Sequence, residues 1–194
     1  MINDIGLDTR NYKITCDSQV NSLGQGFNTM LNLENKKMSQ PEIELVLNKI
    51  IADNKVSSLK SVVLTGNSCS TLPANSEQLI ALERIFINGN NVKNLFGSEE
   101  DGLILEELQK IDVGAKTKKD CKEEYLKRTK VDSIISNKVI FLIQLKSIDA
   151  TFNVHLTDNA KEILKILSKV GVIADYSKTG EELNKALGWT SPIR

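Results

Sequence analysis

The clearest pattern along this chain is a pair of segments in which apolar residues recur at fixed offsets and then stop at an asparagine. LKSVVLTGNSCSTL, beginning at Leu59, overlays LERIFINGNNVKNL, beginning at Leu82, without a gap at a shift of 23 residues. Leu59 falls on Leu82, Val62 on Ile85, Leu64 on Ile87, Gly66 on Gly89, Asn67 on Asn90 and Leu72 on Leu95. Val62 with Leu64, and Ile85 with Ile87, alternate at the period of a short strand that buries one face, so the residues between them point outward. A period of this length marks a repeat architecture, in which each unit covers the apolar face of the next.

The same spacing predicts further strands outside the central pair. Leu31 and Leu33 stand for Val62 and Leu64 in an upstream copy, with Asn28 at the first apolar position. Downstream, Leu108, Ile111 and Val113 carry the apolar spacing with Lys116 in place of the Asn, and Ile140, Ile143 and Leu145 carry it again with Ile148 there. Between the strands, Ser39 followed by Gln40-Pro41-Glu42 predicts a helix start, because Pro is tolerated in a first turn, and Ile43, Leu47 and Ile50 continue at helical spacing. Cys121, Tyr125, Leu126, Ile134 and Ile135 predict a second helical crossover from about Asp120 to Ser136, and the shorter repeats predict a turn on the far side. At the end of the chain, Phe152, Val154 and Leu156 alternate as a last strand. Asn159 and Glu162 then open a helix stopped by Gly171, and Thr179 and Glu182 open another that ends at Gly188.

The paired segments resemble the leucine-rich repeat, whose consensus begins LxxLxLxxN, and Leu72-Pro73 matches a pair common in that family. An asparagine closing each strand can bond backbone groups that a tight turn would otherwise strand. The resemblance implies an α/β fold: a short leucine-rich-repeat solenoid with parallel strands on a concave side, helices and turns on a convex side, and a helical C-terminal cap. The expected organisation is an N-terminal cap over 1–27, a solenoid of about four to five irregular repeats over 28–150, and a C-terminal cap of a strand plus two helices over 151–194.

Composition narrows the function classes. Apolar residues are 40% and charged residues 26% of the 194, with 3 prolines, which fits a folded chain rather than a linker. Lys and Arg number 25 and so do Asp and Glu, so no net basic field draws a phosphate backbone, and the run Lys116 to Lys130 reads as a solvated helix face interrupted by Asp120, Glu123 and Glu124. Nucleic acid is not expected as a partner. No apolar stretch approaches the roughly 20 residues of a membrane span, and MINDIGLDTRNYK lacks the apolar core of a secretory signal. The expectation is a cytoplasmic protein, or one exported without a standard signal.

Candidate chemistry is sparse. Cys16, Cys69 and Cys121 are too widely spaced for a paired metal clamp, and His155, the only histidine, sits in the alternating run FNVHL as an outward strand residue. Cys69 and Cys121 read as packing residues, and Gly24-Gln25-Gly26 lacks the pattern of a phosphate loop. No catalytic residue, metal ligand or cofactor is expected. The family resemblance instead implies protein recognition by the outward strand residues Lys60, Val63 and Thr65, then Glu83, Arg84, Phe86 and Asn88, and by extension Gln109, Lys110 and Asp112. Phe86 flanked by charge has the make-up of an interface hot spot.

Small, Lys/Asn-rich proteins of this kind resemble effectors that intracellular bacterial pathogens deliver into host cells. Glu181-Glu182 and Ile193 near the C-terminus are similar to signals read by some type IV secretion systems. Two other classes stay open: an enzyme whose site uses His155, Asp158 or Tyr176, and a self-associating subunit whose contact patch includes Trp189.

Overall fold

A computed structural model describes residues 17–111, 117–128 and 133–176. Cys16, Asp112, Lys116, Lys130, the helix expected over 179–188, Trp189, and the Glu181-Glu182 and Ile193 cue lie outside the described residues. The fold is α/β. Among the described residues five three-residue strands, β1 (Met30–Asn32), β2 (Ser61–Val63), β3 (Arg84–Phe86), β4 (Ser147–Asp149) and β5 (Ile173–Asp175), form a parallel sheet in which each pairs with its neighbour in sequence.

Parallel neighbours need crossovers, and these differ widely in size. Helix α1 (Gln40–Ala52) links β1 to β2, and a single 3-10 turn (Ser76–Gln78) links β2 to β3. Helices α2 (Ser98–Gln109), α3 (Lys118–Arg128) and α4 (Ile134–Gln144) lie between β3 and β4, and α5 (Asp158–Lys169) lies between β4 and β5. Each helix starts where the local chemistry lets it. In α1 the Glu42 carboxylate accepts from the Ser39 N–H (2.8 Å) and hydroxyl (2.6 Å), and Pro41 sits in the first turn. In α5 the capping oxygen belongs to Thr157, which accepts from the Ala160 N–H, and Gly171 follows the helix at φ +89°.

Every strand contributes its middle residue to the core: Leu31, Val62, Ile85 and Ile148 are buried, with Ala174 partly so. Leu59, Leu82 and Leu145 before the strands and Leu33, Leu64, Ile87 and Ala150 after them complete the apolar face. Helices close it from the other side through Ile43, Leu47 and Ile50 of α1, Ile104 and Leu108 of α2, Phe141 and Leu142 of α4, and Ile163 and Leu167 of α5. Lys138 of α4 ties the two ends of the β3–β4 crossover together, pairing with Glu100 of α2 at 2.6 Å while its amine lies 4.7 Å from the Phe96 ring centre.

After the last buried residue of a strand the chain turns through a left-handed residue at the same place each time: Asn35 (φ +53°), Gly66 (+66°), Gly89 (+63°) and Phe152 (+59°). Glycine suits two of these turns because it has no Cβ to clash there. Next comes a buried asparagine whose amide joins two successive strand segments. The Nδ2 of Asn90 donates to the Leu64 carbonyl (2.9 Å) and the Ile87 carbonyl (3.0 Å), and its Oδ1 accepts from the Cys69 N–H (2.9 Å). Asn67 repeats this with Leu33 (2.8 Å), Leu64 (2.9 Å) and the Met38 N–H (2.9 Å). Asn153 repeats it with Ile87 (2.9 Å), Ala150 (2.9 Å) and the Val92 N–H (3.0 Å). Lys36 takes this position after β1 and is exposed; among the described residues β1 is the sheet's edge and no preceding strand offers a carbonyl.

That edge is covered locally. The helical segment 17–22 brings the Gln19 side-chain Oε1 to the Asn32 N–H (3.1 Å), and the Lys55 ammonium donates to the Val20 and Asn21 backbone carbonyls at the segment's end (2.8 and 2.9 Å).

Four expectations from the sequence need correction. The strand expected at Leu108 to Val113 does not begin there: Leu108 and Gln109 end α2 and Lys110 is its C-cap, while Val113 lies outside the described residues. Ile104, Leu108 and Ile111 are buried at helical spacing, and a step of three or four residues fits either period. Ile140 and Ile143 lie inside α4 and Leu145 is its C-cap; the unit starts at Leu145 rather than Ile140, so its strand, Ser147–Asp149, lies five residues later than expected. Phe152 to Leu156 is a turn that houses Asn153, and the last strand is Ile173–Asp175 instead. The single crossover expected over 120–136 is two helices, α3 and α4.

The asparagines carry a stability prediction. Asn90→Ala leaves the Cys69 N–H without an acceptor in the interior and takes one of two amide donors from each of the Leu64 and Ile87 carbonyls, which keep Asn67 and Asn153. At about 1–3 kcal/mol for the one buried group left unpaired, urea unfolding should show a loss of about 2 kcal/mol. A loss below about 1 kcal/mol would mean that water replaces the amide and that these bonds do not hold the strands in step.

Candidate functional site

The strand register sets the outward face in rows. One row runs Met30, Ser61, Arg84, Ser147, Ile173, and the next runs Asn32, Val63, Phe86, Asp149, Asp175. Both rows flank the buried middle residues, as the two-residue period of a strand requires. Arg84 and Met30 are exposed, Ile173 is 73% exposed, and Val63 and Phe86 are partly buried side by side.

Before the strands, Lys60, Glu83 and Lys146 form a charged row held by the backbone: the Glu83 N–H donates to the Lys60 carbonyl (2.8 Å) and the Lys146 N–H to the Glu83 carbonyl (2.7 Å). The Lys146 ammonium lies 2.8 Å from the Glu83 carboxylate. Its hydrogen bond holds the Glu83 carboxyl below the usual glutamate value, with Lys60 and Arg84 adding smaller attractions. After the strands comes a neutral polar row. The Thr65 hydroxyl donates to the Asn88 side-chain oxygen (2.7 Å), and the Gly66 and Gly89 N–H groups donate to the Asn88 and Thr151 carbonyls (3.1 and 3.0 Å). On β4, Asp149 accepts from the Thr151 N–H (3.0 Å) and hydroxyl (2.8 Å), which fixes the carboxylate against the turn.

The structure therefore gathers Lys60, Val63, Thr65, Glu83, Arg84, Phe86 and Asn88 on one sheet face. Gln109 and Lys110 do not join them. They end α2, where Lys110 pairs with Glu107 at 2.6 Å, and Asp112 lies outside the described residues. The strand that neighbours β3 is β4, so Lys146, Ser147, Asp149 and Thr151 stand where Gln109, Lys110 and Asp112 were expected.

The missed signal was present in the chain. Leu145, Ile148, Ala150 and Asn153 have the spacing of Leu82, Ile85, Ile87 and Asn90, displaced by 63 residues rather than 23. Three helices fill the difference, and Ala150 disguises the third apolar position.

Residues considered for other chemistry are dispersed. His155 and Asp158 are exposed near the start of α5, His155 in a turn rather than a strand, and Tyr176 is partly buried after β5. Cys69 is buried, its thiol pushed up to about 12 by desolvation, and its backbone N–H serves the Asn90 amide. Cys121 is buried in α3. Among the described residues no group of three or more His, Cys, Asp or Glu side chains is arranged to hold a metal ion, and no helix is long and apolar enough to cross a membrane.

No protein-family model matches this chain, and neither a curated protein nor a solved structure does.

The Lys146–Glu83 contact predicts a titration change. In Lys146→Met the Glu83 carboxyl loses the hydrogen bond that depresses it and should titrate higher, toward the ordinary glutamate value. The depressed value favours the folded state above the unfolded-state pKa, and that preference fades as pH falls through the folded value. Carbon-detected NMR of the side-chain carboxyl checks this; an unchanged midpoint would assign the depression to Lys60 and Arg84.

Proposed function

We propose that this chain is a leucine-rich-repeat solenoid that acts without catalysis, by binding a partner protein on the outward face of its parallel sheet. What supports the solenoid is the recurrence of one unit: a buried LxxLxL face, a left-handed turn and a buried asparagine bonded to two successive strands. What supports the binding face is the row through Phe86. A large aromatic flanked by Val63 and Asp149, with Arg84 two residues before it on the same face, combines apolar area with charges that orient a partner.

The reading places Phe86 at the centre, because strands lie on both sides of it, and the charged row of Lys60, Glu83 and Lys146 at one margin. Margin charges chiefly set encounter rate and salt dependence, whereas a central aromatic sets the lifetime of the complex. The proteins this reading places beside it include bacterial effectors, so host proteins are the first partners to try.

The test is affinity capture from eukaryotic lysate with wild type beside a Phe86→Ala, Arg84→Glu double variant, followed by titration of the purified partner. Both substitutions fall on outward strand positions, so the variant should unfold at nearly the wild-type midpoint. Loss of Phe86 alone should weaken binding by roughly 30-fold, the equivalent of about 2 kcal/mol for a hot-spot aromatic. A partner bound equally by both proteins would move recognition off the sheet and sink this reading.

A further inference from the structure

A second surface lies on the crossovers. The 3-10 turn after β2 and helix α4 enclose a cleft of about 570 Å³, to which no strand residue contributes. Its volume falls within the roughly 300–1,000 Å³ of ordinary ligand sites. Each wall presents a large apolar side chain to solvent: Ile80 beside the turn is 67% exposed, and Ile134 at the start of α4 is 57% exposed. Among the described residues lining the cleft Glu77 is the one that carries a charge, and its Oε2 is buried without a hydrogen-bond partner. Asn137 and Gln144 add amide groups along the α4 wall.

We propose that this cleft is a docking site for an extended peptide segment of a partner protein, carrying a Lys or Arg between apolar residues. A buried carboxylate oxygen with no donor is costly, and a cationic donor removes that cost more fully than a neutral one. Rotation of the Glu77 carboxylate toward the cleft would bring that oxygen to an ammonium or guanidinium, and no described residue lining the cleft carries a competing positive charge. The isoleucines decide between a peptide and a small amine. A small amine could meet Glu77 yet leave Ile80 and Ile134 in water, whereas apolar side chains on either side of a basic residue would cover both walls. The amides of Asn137 and Gln144 offer donors and acceptors to a peptide backbone passing between them. The site does not depend on the sheet face, so one can fail without the other.

The experiment is selection from a random-peptide display library on the immobilised full chain, followed by fluorescence anisotropy of an enriched peptide. Wild type is compared with Ile80→Asp, Glu77→Gln and Phe86→Ala, each first shown to melt near the wild-type temperature. The expected consensus is a Lys or Arg flanked by apolar residues. Its affinity should fall at least roughly tenfold in Ile80→Asp and in Glu77→Gln and stay unchanged in Phe86→Ala. The proposal is overturned by no enrichment, by a consensus without a basic residue, by full displacement with butylamine at comparable affinity, or by peptides indifferent to both cleft variants. Peptides lost only in Phe86→Ala would also overturn it, while favouring recognition on the sheet.

Discussion

A strand of three residues cannot hold a chain in place through its ladder alone, and each strand here is followed at once by a turn that brings backbone groups into the interior. Three asparagines resolve the conflict, because a primary amide can donate twice and accept in one plane. Asn67, Asn90 and Asn153 each bond a carbonyl of their own strand, a carbonyl of the strand before and an N–H of the preceding crossover. The Leu64 and Ile87 carbonyls each accept from two of these amides, so the bonds form a continuous line across the sheet. Buried polar networks of this kind are stabilising only when every member is satisfied, and these meet that condition.

This constraint explains which parts of the chain are rigidly spaced and which are free. The distance from the first apolar residue to the asparagine is the same in all three complete units, Leu59 to Asn67, Leu82 to Asn90 and Leu145 to Asn153, because both ends must meet the neighbouring strand. The crossover beyond the asparagine has only to leave the sheet and return. It does so with one 3-10 turn after β2 and with three helices after β3. Loop-closure entropy grows slowly with length, so a longer return costs little once its own helices are packed. Lys118 of α3 shows how such an insertion is fastened: its ammonium donates to the Gln144 and Leu145 carbonyls at the end of α4, and burial, reinforced by Lys146 and Lys122, pushes its pKa down.

The same contrast explains how far the sequence could be read. The unit from Leu59 to Asn90 was legible because apolar period, glycine turn and asparagine agreed, and the strands at Leu31, Val62 and Ile85 followed from it. The helix from Gln40 was legible from its capping residues. Regular spacing beyond that point was misleading. Leu108 and Ile111 fitted the unit's offsets but belong to a helix, since three-residue and four-residue steps serve both structures. Spacing alone sets Leu145 and Ile148 at the third apolar and asparagine positions, whereas they are the first and second apolar residues of the unit, and Phe152 occupies the left-handed turn that glycine marks after β2 and β3. The asparagine was the better guide than the leucines, because few buried positions require a primary amide and many accept an aliphatic side chain. For the candidate face, sequence placed the β2 and β3 residues and could not supply their neighbours, which depended on which later segment paired with β3.

Because inward positions are committed to the core and to the amides, specificity has to be written in the outward rows and in the crossovers. The rows are not uniform. Around β2 and β3 they offer Lys60, Glu83, Arg84, Val63 and Phe86, and around β4 and β5 they offer Lys146, Asp149, Ile173 and Asp175, so the balance of charge passes from basic to acidic across the sheet. A chain with zero formal net charge can still present such a field, since the charges that cancel in the total lie on different strands. Under the binding reading, a gradient of this kind fixes the direction in which a partner lies across the strands, because reversing it would set like charges against each other. The substitution that separates orientation from attraction is therefore a paired exchange, Arg84→Asp with Asp149→Arg: it preserves the total charge and the aromatic between them, and it should abolish productive binding where either single neutralisation only weakens it.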